Sequence, residues 1–495
     1  MGKNFDKVNF SEEDFHIFSG RLNDQLILLK KILEKPGFGE GEMTLGAEFE
    51  MYITKGDGEI SPINKQLLDR LDKSLFQLEL NQFNLEYNVT PTAAAGSPFT
   101  TLHEEMTGAL QTANDAAAPF DSQLVPVGIL PTLRAEHLQP QFMTDIPRFH
   151  CLSDSLHKLR GGAFGVNING QDPLQLTSHD VTLEGANTSF QIHMRVEPHR
   201  FADTFNAIQM ITPLAVALAA NSPLLLGHRL WQETRIALFK QSIDSRQRNS
   251  VGWRQPSRVT FGHGWVREGL WELFAETVRL YPPIIPLVTD EDAEESFRQG
   301  KYPKLEELSL HTGTTWPWNR AVYSASAGGH TRIEMRALPA GPSLIDMTAN
   351  AAFYIGTAIG LRNRINDMLP AMPFRFAEYN FYRAAQDGLE AQILWPEAGQ
   401  HHPREVGITE AIHDLLPLMQ EGLAEIGVTD TDSARMSAII RDRLTSRMTG
   451  ARWQLEMLEQ YEKDLPRVQA CQAMLRKYIE EQAGGAAVAE WSSSV

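Results

Sequence analysis

The chain has 495 residues, 42% of them hydrophobic, a formal net charge of −17 and two cysteines. That length and balance suit a soluble globular enzyme of one large domain or two. The acidic excess, without a basic cluster interleaved with aromatics, argues against nucleic acid as a main partner. Cys151 and Cys471 are far apart and lack metal-ligand spacing, so a reducing, cytoplasmic compartment is expected. The opening Met1-Gly2-Lys3-Asn4-Phe5-Asp6 carries no apolar signal-peptide stretch.

Residues 11–34 predict an amphipathic helix, with Ser11 and Asp14 as a variant capping box and Phe15, Phe18, Leu22, Leu26, Leu29 and Leu33 at helical spacing. Gly37, Gly39 and Gly41 release the chain into residues 43–53, which alternate strictly. There Met43, Leu45, Ala47, Phe49, Met51 and Ile53 take one face, and Glu48, Glu50 and Tyr52 the other. Residues 83–90 repeat the pattern, with Asn84, Glu86, Asn88 and Thr90 on the polar face. Residues 101–118 read as a helix, and a buried strand follows at 124–129. Gly161, Gly162, Gly165 and Gly170 bracket a short strand at 164–168.

The third alternating stretch, 189–197, sets Gln191, His193, Arg195 and Glu197 against Phe190, Ile192, Met194 and Val196. A helix is expected over 203–220. The apolar run 208–226 is interrupted by Pro213, Asn221, Ser222 and Pro223, which marks a buried core helix and a turn, not a membrane span. A further helix is expected over 230–243. Residues 289–307 are acidic and polar and read as a solvated surface loop or lid. The fourth alternating stretch, 330–337, places His330, Arg332, Glu334 and Arg336 opposite Thr331, Ile333, Met335 and Ala337. From about Ala349 the chain is mainly helical. Residues 396–405 form the expected boundary between a catalytic domain, 1–395, and a helical region, 404–483, packed on it. Residues 484–495 are expected to be a flexible tail.

The polar faces of the four strands carry carboxylate, imidazole and guanidinium and almost no lysine. Glu48 and Glu50 project from one strand about 7 Å apart by strand rise. Glu86, His193 and Glu334 occupy comparable faces of the other three strands. If the strands pair in one antiparallel sheet, these groups form an anionic patch rimmed by arginine. Oxygen donors with one imidazole suit Mg²⁺ or Mn²⁺ better than a closed zinc site. The competing reading is a polar sheet face turned to water. Arg332 and Arg336 flank Glu334; Arg336 suits a transferring phosphoryl group, while Arg332 is free either to join it or to pair with Glu86. No Walker A loop, dinucleotide fingerprint, G-x-S-x-G elbow or CxxC pair is present.

These motifs, in order, resemble the glutamate–cysteine ligase type 2 family, which includes plant-type enzymes and bacterial carboxylate–amine ligases. Gly46-Ala47-Glu48-Phe49-Glu50 resembles its opening G-x-E-x-E strand, and Asn84-Leu85-Glu86-Tyr87 its second carboxylate strand. Ile146-Pro147-Arg148-Phe149 is similar to its proline–arginine–aromatic segment, and Gln191-Ile192-His193 to its third strand. Ala220-Asn221-Ser222-Pro223 with Arg235 resembles its substrate-arginine turn, and His330-Thr331-Arg332-Ile333-Glu334-Met335-Arg336 its closing strand. The Trp316-Pro317-Trp318-Asn319-Arg320 segment looks more like the bacterial branch.

The resemblance implies an α+β, glutamine-synthetase-like fold, an antiparallel sheet funnel with helices behind it. It implies ATP-dependent amide formation through an acyl phosphate, on Mg²⁺ held by Glu48, Glu50, Glu86, His193 and Glu334. Arg336 and Arg332 would act on the phosphoryl group. Arg235 and Arg148 would hold the carboxylate of an amino acid such as glutamate, and Trp318 and Arg320 would border the nucleotide or the amine. The partner substrate would be an amine or second amino acid. Two other readings of such a site are a guanidino phosphotransferase of the same fold and a non-catalytic metal- or ligand-binding regulator.

Overall fold

In the computed structural model of the chain, the structure describes residues 10–247, 255–396 and 402–494. Its centre is a seven-stranded antiparallel sheet that curls into a half-barrel. In chain order the strands are β1 (Thr44–Lys55), β2 (Phe76–Leu78), β3 (Asn84–Ala93), β4 (Ser122–Val125), β5 (Phe190–Arg195), β6 (Asn319–Ser324) and β7 (His330–Met335). Across the sheet they run β6-β7-β5-β1-β3-β2, and β4 pairs with the far end of β1. Each of the four alternating stretches is one of these strands.

Alternation assigns each residue to a face, and register decides which residues meet. Glu334 on β7 stands opposite His193 on β5, which stands opposite Gly46 on β1. One pleat deeper, Gln191, Glu48 and Asn88 line up across β5, β1 and β3, and beyond them Glu50 faces Glu86. A register shift between Leu45 and Ala47 bulges β1 at Gly46, where the β1–β3 pairing is reset.

The opposite face is apolar and closed. Phe49, Met51, Ile53, Met194, Ile333 and Met335 are all fully buried, each stabilising the fold by roughly 1.5–3 kcal/mol. They belong to a core shared with helices α1 (Glu12–Leu33), α2 (Pro98–Ala117), α3 (Pro147–Arg160), α4 (Phe201–Ala219), α5 (Thr234–Ser242), α6 (Leu344–Arg362) and α7 (Ile408–Glu425). The α1 capping box is formed: Asp14 N–H donates to Ser11 Oγ at 3.2 Å and Ser11 N–H to Asp14 Oδ2 at 2.8 Å. Helices α4 and α6 are long and apolar enough to cross a membrane, but their apolar windows are 89% and 94% buried inside the fold. Helices α6 and α7 cross at Gly356 and Gly422, where a Cβ on Gly422 would run into Gly356 O.

The C-terminal helices α8 (Asp430–Ser446), α9 (Gly450–Tyr461) and α10 (Arg467–Ala483) lie against the same body. Residues 397–401 of the expected boundary, with His401, lie outside the described residues. On either side of them, Gln392–Trp395 pairs with Arg404–Gly407 as a small hairpin, and one apolar core runs from Phe18 to Ile440 across the boundary. The expectation of a loose tail is overturned for residues 484–494. Val488 and Trp491 are buried, and Trp491 packs edge-on against Trp453 and Tyr478, each at 5.2 Å between ring centroids. Small polar residues hid two apolar anchors. The acidic 289–307 segment is likewise tied down: Glu307 is fully buried and accepts from Thr289 N–H at 2.8 Å.

Candidate active site

The polar face of the half-barrel gathers carboxylates from three strands. Glu48, His193 and Glu334 each offer a ligand atom, all lying within 4.8 Å of one another. His193 Nε2 is 3.3 Å from Glu48 Oε1 and 3.8 Å from Glu334 Oε2, an ion-pair contact in which no hydrogen bond is well aligned. A cation bound between these three groups would complete the arrangement. Two carboxylates and one imidazole fit a hard divalent cation.

Glu334 is the best-held member. It is fully buried, and Arg320 grips it bidentately, Nε to Oε1 at 3.1 Å and Nη2 to Oε2 at 2.6 Å, while Arg336 Nη1 donates to Oε1 as well. Burial alone would raise this carboxyl, but the Arg320 and Arg336 charges hold it well below the usual range. Burial also acts to raise Glu48, and His193 with Arg336 reverses it. The two groups stay ionised, as cation ligands must.

The five expected metal ligands therefore divide. Glu48, His193 and Glu334 converge; Glu50 and Glu86 share the face but sit one pleat deeper. Glu50 accepts from Ser189 N–H at 2.6 Å, Ser189 Oγ at 2.7 Å and Gln191 Nε2 at 3.0 Å. Even so, burial and then the Glu79 charge push it up to about 7. Glu86 accepts from Asn88 Nδ2 at 2.9 Å and is raised well above the usual range by burial, then by Glu48, Glu79 and Glu50. Two carboxylates invisible to the strand pattern join this deep end. Glu79 precedes β3 and Glu184 lies in a short turn before β5; burial, with Glu79 and Glu50, raises Glu184 to about 8. Neither belongs to an alternating stretch, so no periodicity could mark them.

The arginines are placed as follows. Arg336 lies beside Glu334, Glu48 and Glu50. Arg332 makes no ion pair with Glu86; the carboxylate charges that reach it are Glu334 and Glu48. Arg235, in the first turn of α5, is 2% exposed and lies inside the fold. Its Nη1 donates to Glu233 Oε1 at 3.0 Å and to Ala337 O at 3.2 Å, and its charge reaches Glu50. Arg148 opens α3, stacks over Phe149 at 4.7 Å and faces the Glu79 charge. Trp318 corrects its expectation. It is 1% exposed and wedged between Phe239 and Phe381 at 5.6 and 5.8 Å, so it packs the core and presents no face to a nucleotide.

The sequence profile of glutamate–cysteine ligase family 2 matches residues 44–483. The chain belongs to that family. It is thereby an ATP-dependent, C–N bond-forming ligase, which sets aside both the phosphotransferase and the non-catalytic readings. The solved glutamate–cysteine ligase of Francisella tularensis in complex with AMP superposes with a TM-score of 0.55 at 10% identity, over 90% of each chain. A bifunctional glutathione synthetase from Pasteurella multocida gives 0.51 at 12% identity, over 93% of this chain and 53% of its own. At those identities the likeness concerns the fold, the glutamine-synthetase-like one. No curated protein matches the sequence.

Proposed function

We propose that the chain joins the carboxylate of an amino acid, glutamate in the first instance, to an amine, through an acyl phosphate made from ATP. Glu48, His193 and Glu334 would hold a Mg²⁺ or Mn²⁺ ion, with Glu50 and Glu86 available one pleat away for a second. The bound cation would neutralise phosphate charge and align the terminal phosphoryl group with the attacking carboxylate.

The chain's own residues account for the rest. Arg336, planar and always charged, lies where it would meet charge on a transferring phosphoryl oxygen. Arg320 acts through Glu334, fixing its rotamer by a two-point grip. Arg235 and Arg148 bring positive charge to the deep, acid-rich end, where a substrate carboxylate must approach. Glu50, raised to about 7 by burial, is the group there balanced to accept the proton that an attacking ammonium loses. No side-chain nucleophile is needed, because the carboxylate attacks ATP directly and the amine then displaces phosphate.

The observation that carries this reading is the convergence of Glu48, His193 and Glu334, whose ligand atoms lie within 4.8 Å of one another, beside Arg336. The test is a screen of amino acids against amines, reading ADP release with Mg²⁺. Release that needs one member of each class supports the ligase; release with either alone, or with neither, opposes it. The two free, buried cysteines agree with a cytoplasmic setting for the same proposal.

A further inference from the structure

Among the described residues, every hydrogen bond of the Arg235 side chain leaves from Nη1, to Glu233 Oε1 and Ala337 O, and its Nε is buried without a partner. The segments around the guanidinium therefore set where it points. Glu233 precedes α5 and Ala337 follows β7. Gly128 follows β4, and a Cβ there would meet Arg235 Cδ at 3.1 Å. All three segments are tied to two side chains from the C-terminal helices, Gln454 on α9 and Tyr478 on α10.

The tie runs through Asn221, in the turn after α4. Asn221, Glu233, Gln454 and Tyr478 are all fully buried. Asn221 N–H donates to Glu233 Oε2 at 2.9 Å, the oxygen opposite the one that Arg235 takes. Its Nδ2 gives one proton to Ala340 O at 2.7 Å and the other to Tyr478 Oη at 2.9 Å. Its Oδ1 accepts from Gln454 Nε2 at 2.8 Å. The Tyr478 hydroxyl in turn donates to Pro126 O at 3.0 Å, two residues before Gly128.

Local sequence permits this approach. Gly450 opens α9, and a Cβ there would run into Asn221 Oδ1. One turn on, Gln454 lies on the same helix face and reaches the amide. Tyr478 and Gln482 share a face of α10 in the same way, and Gln482 Nε2 adds a second bond to Pro126 O at 2.9 Å. Hydrogen bonds fix direction as well as distance. Apolar contacts would hold the helices in place without aiming anything.

We infer that Gln454 and Tyr478 are positioning residues for Arg235. Through Asn221 and the 126–128 segment, the C-terminal helices aim the guanidinium that receives the amino-acid carboxylate. This rests on the ligase reading above and makes α9 and α10 part of the amino-acid site without their touching the substrate.

The test is steady-state kinetics of wild type, Tyr478→Phe, Gln454→Met, Arg235→Lys and Leu475→Val, with glutamate, ATP and the amine varied in turn. Tyr478→Phe removes one hydroxyl, and Gln454→Met removes a donor at nearly constant volume. Each should raise the glutamate KM about tenfold, below the ~10²-fold that a misplacement of about 1 Å costs, with the ATP KM unchanged. The double variant should fall short of the product of the two, because both act through one amide. Leu475 lies on α10 against the Gly58 turn. Leu475→Val should lower the thermal midpoint and leave the glutamate KM in place, which separates aim from stability. A glutamate KM raised by Arg235→Lys but unmoved by Tyr478→Phe and Gln454→Met overturns the inference alone. So does an equal rise in the KM of all three substrates. If Arg235→Lys itself leaves the glutamate KM unchanged, the amino-acid role of Arg235 in the ligase reading fails, and the inference falls with it.

Discussion

Replacing Glu334 by Gln keeps the shape of the side chain and removes its charge. The consequence follows from its surroundings: Glu334 is wholly buried, and the two guanidiniums it pairs retain only 17% and 13% side-chain exposure at Arg320 and Arg336. Removing one partner of a buried ion pair costs about 3–5 kcal/mol, because the remaining charge stays desolvated. Here two charges are left, but each keeps a margin of solvent, and Glu48 can take up part of one. About 3 kcal/mol is therefore expected, against a total stability of roughly 5–15 kcal/mol for a typical domain. Urea unfolding of the metal-free protein should show a lower midpoint with an unchanged slope. Adding Arg320→Met to Glu334→Gln should cost much less than the sum of the two single changes, giving a coupling energy above ~1 kcal/mol. Additivity, or a loss below ~1 kcal/mol for Glu334→Gln alone, would refute the claim that this carboxylate is the electrostatic keystone of the site.

Arg336→Lys keeps the charge but loses the fork; kcat should fall by about 10²–10³ with the urea midpoint nearly unchanged, and near-normal kcat would remove Arg336 from the phosphoryl step. Arg235→Leu strands Glu233, which is fully buried. It should cost about 3 kcal/mol, largely recovered by adding Glu233→Gln, and a loss below ~0.5 kcal/mol would refute the buried pairing. The pH dependence of the metal-free protein follows from Glu50, raised to about 7 mainly by burial. In that window the folded state binds more protons than the unfolded one, so its contribution to stability is present below the unfolded pKa and is lost as pH rises from about 4.5 through 7. Mg²⁺ should restore stability more at pH 8 than at pH 5, because it competes with those protons; equal Mg²⁺ shifts in thermal midpoint at the two pH values would contradict this.

Strand alternation carried much of the fold. In each stretch the period of two separated an apolar set, which became the buried face, from the polar set that became the groove. The Ser11–Asp14 cap was equally readable, since it is local. Register was not: nothing in residues 43–53 or 83–90 says that Glu50 will face Glu86 while Glu48 faces Asn88. That offset is why the five proposed ligands divide into three and two. Trp318 was misread because it follows the strand phase of Arg320 yet is sealed by Phe239 and Phe381, which arrive from distant helices. The burial of Arg235 was not legible either, because it depends on Glu233, two residues earlier, being buried with it. Glu79 and Glu184 belong to no periodic element, so only tertiary folding brings them to the groove.

The central claim is that a carboxylate oxygen attacks the terminal phosphate of ATP. It is tested most directly with glutamate labelled with ¹⁸O in its side-chain carboxylate, incubated with Mg-ATP, the amine found by screening, and the enzyme. An acyl-phosphate route transfers one ¹⁸O atom to inorganic phosphate for each amide formed, and mass spectrometry of the phosphate should show that stoichiometry. Unlabelled phosphate alongside amide product would contradict the account.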